Sequence, residues 1–310
     1  MNYLVTGGAG FIGANIVESL LKQGQKVKVL DNFSTGRKEN LVEFLNDIEV
    51  INGDIRSYHT VHKAIQGVNI ILHQAALPSV PRSIQDAITS NEVNVTGTLN
   101  ILEAAKENKV QRVVLASSSS IYGDNPELPK HEGMFPNPLS PYAVSKLAAE
   151  KYAMVYHKVY GLETIALRYF NVFGPKQDPT SQYSAVIPKF ITAILNNKQP
   201  IIYGDGETSR DFTFIENVVE GNILAATTEN IGGEYFNCAC HGRVTLNELV
   251  SAINKITGKN ITPLYQDFRK GDIKHSFAEI TKINKALDYI PKVSFEDGLR
   301  KTIEWYSQTK

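Results

Sequence analysis

The sequence has little cysteine, no excess of charge of either sign and no long hydrophobic run. Its 310 residues include two cysteines, Cys238 and Cys240, which excludes a disulfide framework and offers no metal-ligand spacing. The 32 basic and 32 acidic residues cancel, which argues against a nucleic-acid partner because phosphate contacts need a basic excess. No segment approaches the roughly 18 apolar residues of a membrane helix, and the N-terminus lacks the features of a signal peptide. We expect a soluble, cytoplasmic protein with no metal site and no membrane partner.

Short apolar runs alternate with helix-period stretches over the first 170 residues. The runs lie at 3–5, 26–30, 48–51, 68–72, 112–115 and 164–167, and helical periodicity lies at 11–22, 58–65, 90–107 and 143–160. Strands that are apolar on both faces and separated by helices predict an α/β fold with a Rossmann-like, doubly wound parallel sheet.

The pattern changes after Asn171, where loops lengthen and proline and glycine recur. We therefore predict a Rossmann domain over 1–170 and a smaller mixed α/β substrate-binding domain over 171–310. Segments of about 210–238, including the apolar run at 234–237, are expected to return to the first domain.

A glycine-rich segment, Thr6–Gly13, follows the first predicted strand and opens the first predicted helix. Its glycines permit a tight turn and a close approach of the backbone to a pyrophosphate, which the helix N-terminus attracts. Asp31 ends the second predicted strand, where a carboxylate suits the ribose hydroxyls of NAD and repels the 2′-phosphate of NADP. The sequence predicts NAD, and the nearby Arg37 and Lys38 keep NADP as the alternative. Asp54 could meet the adenine or simply cap a helix.

Tyr142 and Lys146 are separated by four residues in a predicted helix, so they share one face. A tyrosine beside a fixed ammonium and the positive charge of NAD⁺ is expected to have a lowered pKa and to act as a general base. Ser117–Ser120 directly follows a predicted strand, at the sheet edge where such folds bind ligands. An isolated Tyr-x-x-x-Lys pair is more often a surface feature, but its combination with the serines and the glycine loop predicts a catalytic site.

These motifs resemble the extended short-chain dehydrogenase/reductase family. The likeness rests on Thr6–Gly13, Asp31-Asn32, His73–Ala76, Ser117–Ser119 and Tyr142–Lys146. The rest of the chain is similar to the UDP-sugar 4-epimerase branch of that family, over nearly its whole length. The resemblance implies an isomerase that oxidises the C4 hydroxyl of a UDP-sugar with tightly bound NAD and returns the hydride to the opposite face of a 4-keto sugar. It also implies a homodimer formed through two helices, although packing within the monomer is an equally good use of their apolar faces.

The resemblance implies three groups of site residues. The catalytic residues are Ser118, Tyr142 and Lys146. The cofactor-binding residues are Gly7, Gly10, Phe11, Ile12, Gly13, Asp31, Asn32, Ser34, Gly36, Asp54, Ile55, Gln74, Ala75, Ala76, Asn94, Ser117, Tyr142, Lys146 and Tyr169. The substrate-binding residues are Ser79, Ser118, Ser119, Tyr142, Asn171, Gln177, Ala185, Val186, Arg210, Arg269, Asp272 and Ser276.

Positions at which this chain differs from particular branches of the family reduce the number of reactions that the resemblance implies. The 4,6-dehydratases carry Asp-Glu where this chain has Ser119-Ser120, so the resemblance does not imply dehydration. Ser276 stands where glucose-restricted members have a bulky tyrosine, which implies that both UDP-glucose and UDP-N-acetylglucosamine fit, whereas Pro78 departs from the glycine of acetamido-selective members. A UDP-glucuronate 4-epimerase, a decarboxylase or dehydratase, and an NAD-binding regulator without activity are the alternatives.

Overall fold

The computed structural model describes residues 1–179, 185–268 and 273–308. The centre of this part of the chain is a parallel sheet of seven strands. The strands of this sheet are β1 (Asn2–Thr6), β2 (Lys26–Asp31), β3 (Ile48–Asn52), β4 (Ile70–His73), β5 (Arg112–Ser118), β6 (Glu163–Tyr169) and β11 (Glu234–Cys238). Their order is β3-β2-β1-β4-β5-β6-β11. The strand order reverses between β1 and β4, because β2 and β3 follow on one side of β1 and β4 to β6 on the other. Such a reversal leaves a crevice for ligands at the carboxyl ends of these two strands.

Helices cover both faces of this sheet. They are α1 (Phe11–Lys22), α2 (Tyr58–Ile65), α3 (Val80–Gln85), α4 (Ala87–Asn91), α5 (Gly97–Glu107), α6 (Pro141–Tyr160) and α8 (Ile215–Thr227). Side chains alternate between the faces along each strand. In β1, Val5 belongs to the core under α1 and α8, whereas Leu4 belongs to the core under α2, α5 and α6. The predicted doubly wound sheet is confirmed.

The remaining described elements form a smaller region beside the carboxyl ends of the strands. Its short strands are β7 (Val172–Phe173), β8 (Ile201–Tyr203), β9 (Ser209–Arg210), β10 (Thr213–Phe214), β12 (Val244–Thr245), β13 (Leu264–Gln266) and β14 (His275–Ser276). Its helices are α7 (Val186–Leu195), α9 (Leu246–Thr257), α10 (Thr281–Leu287) and α11 (Phe295–Gln308). These strands form three separate small sheets: the three-stranded β12-β9-β14 and the two-stranded β13-β8 and β10-β7.

Local sequence explains the boundaries of the helix that carries the Tyr/Lys pair. The Ser140 hydroxyl accepts a hydrogen bond from the Ala143 N–H at 3.1 Å, Pro141 occupies the first turn, and Gly161 ends the helix with φ +72°. Helix α6 therefore begins immediately before Tyr142.

Two elements differ from the prediction. The predicted helix over 90–107 lies within a helical run that continues without a break from Ala87 to Glu107, but Glu92–Thr96 in its middle is π-helical and joins α4 to α5. Strand β5 continues to Ser118 because it pairs with β6 up to Tyr169. Ser117 and Ser118 therefore end a strand rather than follow one.

Among the described residues, none of the helices has both the length and the apolar character needed to span a membrane.

Candidate active site

A cleft of about 1630 Å³ lies at the carboxyl ends of the central strands. The glycine loop lines one part of it, the β5 serines and Tyr142 line its middle, and Arg210 of β9 and Ser276 of β14 line the far part. The main sheet and the smaller region therefore share this cleft.

The structure brings nearly all predicted site residues of the described chain to this cleft. The residues that line it are Gly7, Gly10, Phe11, Ile12, Gly13, Asp31, Asn32, Ser34, Gly36, Asp54, Ile55, Gln74, Ala75, Ala76, Ser79, Ser117, Ser118, Ser119, Tyr142, Lys146, Tyr169, Asn171, Gln177, Ala185, Arg210 and Ser276.

Four predicted residues are not among them. Asn94 is buried, and its amide bonds to both backbone groups of Leu77 at 2.7 and 3.1 Å and to the Ser145 hydroxyl at 3.0 Å, so it holds the segment after β4 instead of facing the cleft. Val186 opens α7 and packs on the hydrophobic core, because it belongs to the apolar face of that helix. Arg269 and Asp272 lie outside the described residues.

The glycine loop has the shape that a pyrophosphate requires. Gly7 has φ +67°, and a Cβ there would lie 2.7 Å from the Ala75 nitrogen. A Cβ on Gly13 would lie 2.1 Å from the Gly7 carbonyl oxygen, so this turn excludes side chains at both positions. Gly10 is the N-cap of α1 and has no side chain with which to cap the first turn. The free N–H groups of that turn suit an anion, so the loop fits the phosphates of NAD.

Asp31 is fixed at the end of β2. One carboxylate oxygen accepts the Ala9 N–H at 2.9 Å and the other accepts the Phe33 N–H at 2.8 Å. Burial raises the pKa of Asp31, and these two hydrogen bonds oppose the rise. The carboxylate is therefore held beside the glycine loop, in the place that ribose hydroxyls require.

The side chains of Arg37 and Asp54, near Asp31, bear on the choice between NAD and NADP. Arg37, one of the residues that kept NADP open, forms an ion pair with Asp178 at 2.7 Å. Asp54 lines the cleft, and its hydrogen bond with Arg56 is the main cause that lowers its pKa to about 2. With Arg37 paired, the Asp31 carboxylate favours the uncharged 2′-hydroxyl of NAD over a phosphate at that position.

The Tyr/Lys pair lies at the end of β5. A hydrogen bond joins the side chains of Tyr142 and Ser118, and the Lys146 ammonium donates to the Ala116 carbonyl oxygen at 2.9 Å. The Ser118 oxygen also accepts hydrogen bonds from the N–H and hydroxyl of Ser120, at 3.1 and 2.9 Å. Helix α6 and strand β5 thus meet through the three predicted catalytic residues.

The protein's own groups do not by themselves lower the pKa of Tyr142. Burial raises the pKa of Tyr142, and the hydrogen bond from Ser118 only opposes this rise. Burial also lowers the pKa of Lys146 to about 8. Burial is therefore the largest influence on the pKa of both side chains.

A buried ion pair beneath these residues was not predicted. Arg168 contacts both Glu150 oxygens at 2.6 and 3.0 Å, and the Ser117 hydroxyl donates to Glu150 at 2.7 Å. The Arg168 and Glu150 side chains are 1% and 0% exposed. Glu150 lies one helical turn beyond Lys146, so the spacing 142, 146 and 150 was the signal that could have revealed it.

Polar contacts also fix the strand ends next to this pair. The His73 ring nitrogens bond to the hydroxyls of Thr6 and Thr98 at 2.6 and 3.0 Å, and burial lowers the pKa of His73 to about 3. The Tyr169 hydroxyl lies 3.0 Å from the side-chain oxygen of Gln74. His73 is therefore a neutral structural residue, as its sequence context indicates.

The substrate side of the cleft is built from loops and short strands. Asn171 has φ +33°, and its amide donates to the Asp211 carbonyl oxygen at 3.2 Å. The Arg210 guanidinium donates to the carbonyl oxygens of Ser209 and Lys274. The side-chain oxygen of Gln177 is buried and finds no hydrogen-bond partner within the described ranges, so a ligand N–H or O–H suits it.

Within the described parts of the chain, no cluster of three or more histidine, cysteine or acidic side chains could hold a metal ion. Cys238 and Cys240 carry free thiols, and burial raises their pKa values to about 12 and about 11.

Residues 3–239 match the NAD-dependent epimerase/dehydratase family. A putative UDP-glucose 4-epimerase of Methanocaldococcus jannaschii is 36% identical over 304 residues, which cover 97% of this chain and 97% of that protein. A UDP-glucuronate 4-epimerase of Thermodesulfobacterium geofontis is 36% identical over 315 residues and 98% and 95% of the two chains. A UDP-N-acetyl-alpha-D-glucosaminuronate decarboxylase of Bacillus cytotoxicus is 32% identical over 98% of this chain and 97% of its own.

Solved structures of UDP-sugar 4-epimerases are also similar to this chain. The UDP-N-acetylglucosamine 4-epimerase of Methanobrevibacter ruminantium, in complex with UDP-N-acetylmuramic acid, is 40% identical with a TM-score of 0.95 and covers 100% of this chain and 99% of its own. The UDP-glucose 4-epimerase of Thermus thermophilus, in complex with NAD, is 36% identical with a TM-score of 0.91 over 100% of both chains. These matches confirm the predicted fold, family, enzyme class and cofactor. The chain belongs to the NAD-dependent epimerase/dehydratase family of enzymes, and NAD is its cofactor.

Proposed function

We propose that the chain inverts the C4 hydroxyl of a UDP-hexose through a transient 4-keto sugar. The observation that carries this proposal is the meeting of Tyr142, Ser118 and Lys146 in the same cleft as the glycine loop. A proton acceptor and a hydride acceptor are the two groups that oxidation of a secondary alcohol requires.

In this proposal Tyr142 removes the proton of the 4-hydroxyl and later returns it. Ser118 bonds to Tyr142 and holds the sugar oxygen near the phenol. Lys146 has three N–H donors, of which the bond to the Ala116 carbonyl uses one, so its ammonium can stabilise the phenolate. Bound NAD⁺ supplies the hydride acceptor and a positive charge that offsets the effect of burial on the Tyr142 pKa.

The substrate is anchored through its nucleotide. We propose that Arg210 binds the diphosphate, because a guanidinium offers paired donors to phosphate oxygens. The unpartnered oxygen of Gln177 is proposed to accept from the substrate. Arg269 and Asp272 remain proposed contacts to phosphate and ribose. A firm hold on the diphosphate lets the 4-keto sugar turn over and present its other face.

Two pairs of sugars are proposed as substrates: UDP-glucose with UDP-galactose, and UDP-N-acetylglucosamine with UDP-N-acetylgalactosamine. The names of the relatives from Methanobrevibacter and Methanocaldococcus support this choice. Ser276 lines the cleft, and its small side chain leaves room for an acetamido group. The UDP-glucuronate epimerase and the decarboxylase among the relatives support the second candidate, a reaction on a UDP-uronate.

We further propose a cytoplasmic homodimer with a domain boundary near residue 170. The homodimer is supported by an exposed apolar stripe on α6, formed by Val144, Tyr152, Val155 and Val159. These positions share one helix face, and Val159 is 62% exposed. Pairing of this face with that of a second copy would bury the stripe.

The experiment that tests the function is incubation of the purified NAD-loaded protein with single UDP-sugars, without added cofactor. Separation of the products is expected to show UDP-galactose formed from UDP-glucose, or the N-acetyl pair, at unchanged mass. Loss of carbon dioxide or water would instead identify a decarboxylase or a dehydratase. Absence of any product from the hexoses, with conversion of UDP-glucuronate, would favour the second candidate.

A further inference from the structure

Four consecutive residues, Pro175–Asp178, run along the rim of the cleft, and we call them the strap. Lys176, Gln177 and Asp178 line the cleft. Each of the four residues is bonded to an element outside the strap, although the sequence motifs assign none of the partner residues to the site.

Helix α1 holds the first half of the strap. The Asn15 amide donates to the Pro175 carbonyl oxygen at 3.3 Å, and the Lys176 ammonium lies 2.7 Å from a Glu18 carboxylate oxygen. The Lys176 and Glu18 side chains are 16% and 29% exposed. Since α1 begins at the glycine loop, these contacts connect the strap to the loop that receives the phosphates.

Two further contacts hold the second half. The Tyr306 hydroxyl of α11 donates to the Gln177 carbonyl oxygen. Arg37 pairs with Asp178 at 2.7 Å, and the Arg37 backbone N–H donates to the Ala9 carbonyl oxygen at 2.9 Å. The strap is therefore also tied to the loop that follows Asp31.

The two ion pairs differ in their exposure to solvent. The Arg37 and Asp178 side chains are 47% and 32% exposed, compared with 16% and 29% for Lys176 and Glu18. Salt and water screen an exposed pair more strongly, so the Arg37–Asp178 pair is the weaker of the two.

We propose that the strap retains NAD in the cleft and that the Arg37–Asp178 pair opens to let the cofactor exchange. The proposal deepens the proposed function, because an epimerase leaves NAD in its starting oxidation state after each cycle and never needs to release it. Arg37 and Asp178 act as positioning residues: they hold two loops together at the rim and take no part in the proton transfer.

The test is the rate at which the protein loaded with ¹⁴C-NAD exchanges it for excess unlabelled NAD. We expect Arg37→Gln and Asp178→Asn each to accelerate exchange about fivefold, which corresponds to an exposed pair worth about 1 kcal/mol. The double variant is expected to accelerate exchange by less than the product of the two single effects, since each change removes the same ion pair. Lys292→Gln is the matched control, because Lys292 forms an exposed 2.7 Å ion pair with Glu220 and neither residue lines the cleft.

Wild-type exchange in Asp178→Asn would overturn the proposal, even if Arg37→Gln exchanged faster, because Arg37 would then act on the nucleotide directly. Added NaCl gives a second readout: it should accelerate exchange more in the wild type than in Asp178→Asn, which has lost one of the two ion pairs that salt screens, and an equal response in both would also overturn the proposal. Exchange is measured without any UDP-sugar. A protein that shows no epimerase activity can therefore still be tested for retention of NAD by the strap.

Discussion

At the Tyr142 end of the cleft the charged groups are buried, whereas at the rim near Arg37 they are exposed to solvent. The Arg168–Glu150 pair is 1% and 0% exposed, and the Arg37–Asp178 pair is 47% and 32% exposed. A buried charge cannot lose its partner cheaply, while an exposed pair opens with little cost. We propose that the interior keeps the geometry for chemistry constant and that the rim allows ligands to enter and leave.

The interior depends on one phenol more than on any other group. Tyr142→Phe should lower kcat by about 10²- to 10⁴-fold, because it removes the general base while keeping the ring. Binding of UDP, measured by calorimetry, should be unchanged. A variant that retained wild-type kcat would remove Tyr142 from the proposed mechanism.

The buried ion pair should dominate the stability of this end. Glu150→Gln leaves Arg168 buried without a countercharge, so we expect a loss of about 3–5 kcal/mol in the free energy of unfolding, measured by denaturant titration. Ser117→Ala is the matched control. It removes one neutral donor to the Glu150 carboxylate but leaves the Arg168 pairing, so it should cost less, about 1.5–3 kcal/mol. Equal losses in the two variants would contradict the proposed importance of the charge.

On the substrate side, a change should affect binding more than chemistry. Arg210→Gln should raise KM about tenfold, with a much smaller change in kcat, because a charge-assisted contact to phosphate is lost. Arg210→Lys keeps the charge but not the paired donors and should recover only part of the affinity. Steady-state kinetics decide between these outcomes, and an unchanged KM in both variants would exclude Arg210 from the diphosphate site.

The sequence predicted the parts of the site that depend on residues close together along the chain. Helix α1 has the predicted bounds, because its apolar period starts directly at the glycine loop. The contacts that were missed join distant segments: Arg168 reaches Glu150 only after β6 packs beside α6, and Arg37 reaches Asp178 across the cleft. The Asn94 amide satisfies backbone groups of Leu77, a use that no local pattern reveals.

The same distinction explains why the effect of burial on the Tyr142 pKa was not predicted. Spacing placed Lys146 on the same helix face as Tyr142, but burial of both side chains depends on the whole cleft. Burial raises one pKa and lowers the other. Neither effect can be read from a four-residue separation.

Oxidation and reduction at a single carbon is the central claim, and an isotope at that carbon tests it most directly. UDP-glucose with deuterium at C4 is incubated with the NAD-loaded protein in ordinary water, and the product is analysed by NMR and mass spectrometry. The account predicts UDP-galactose with deuterium retained at C4. Unlabelled UDP-galactose, with deuterium lost to the solvent, would contradict it.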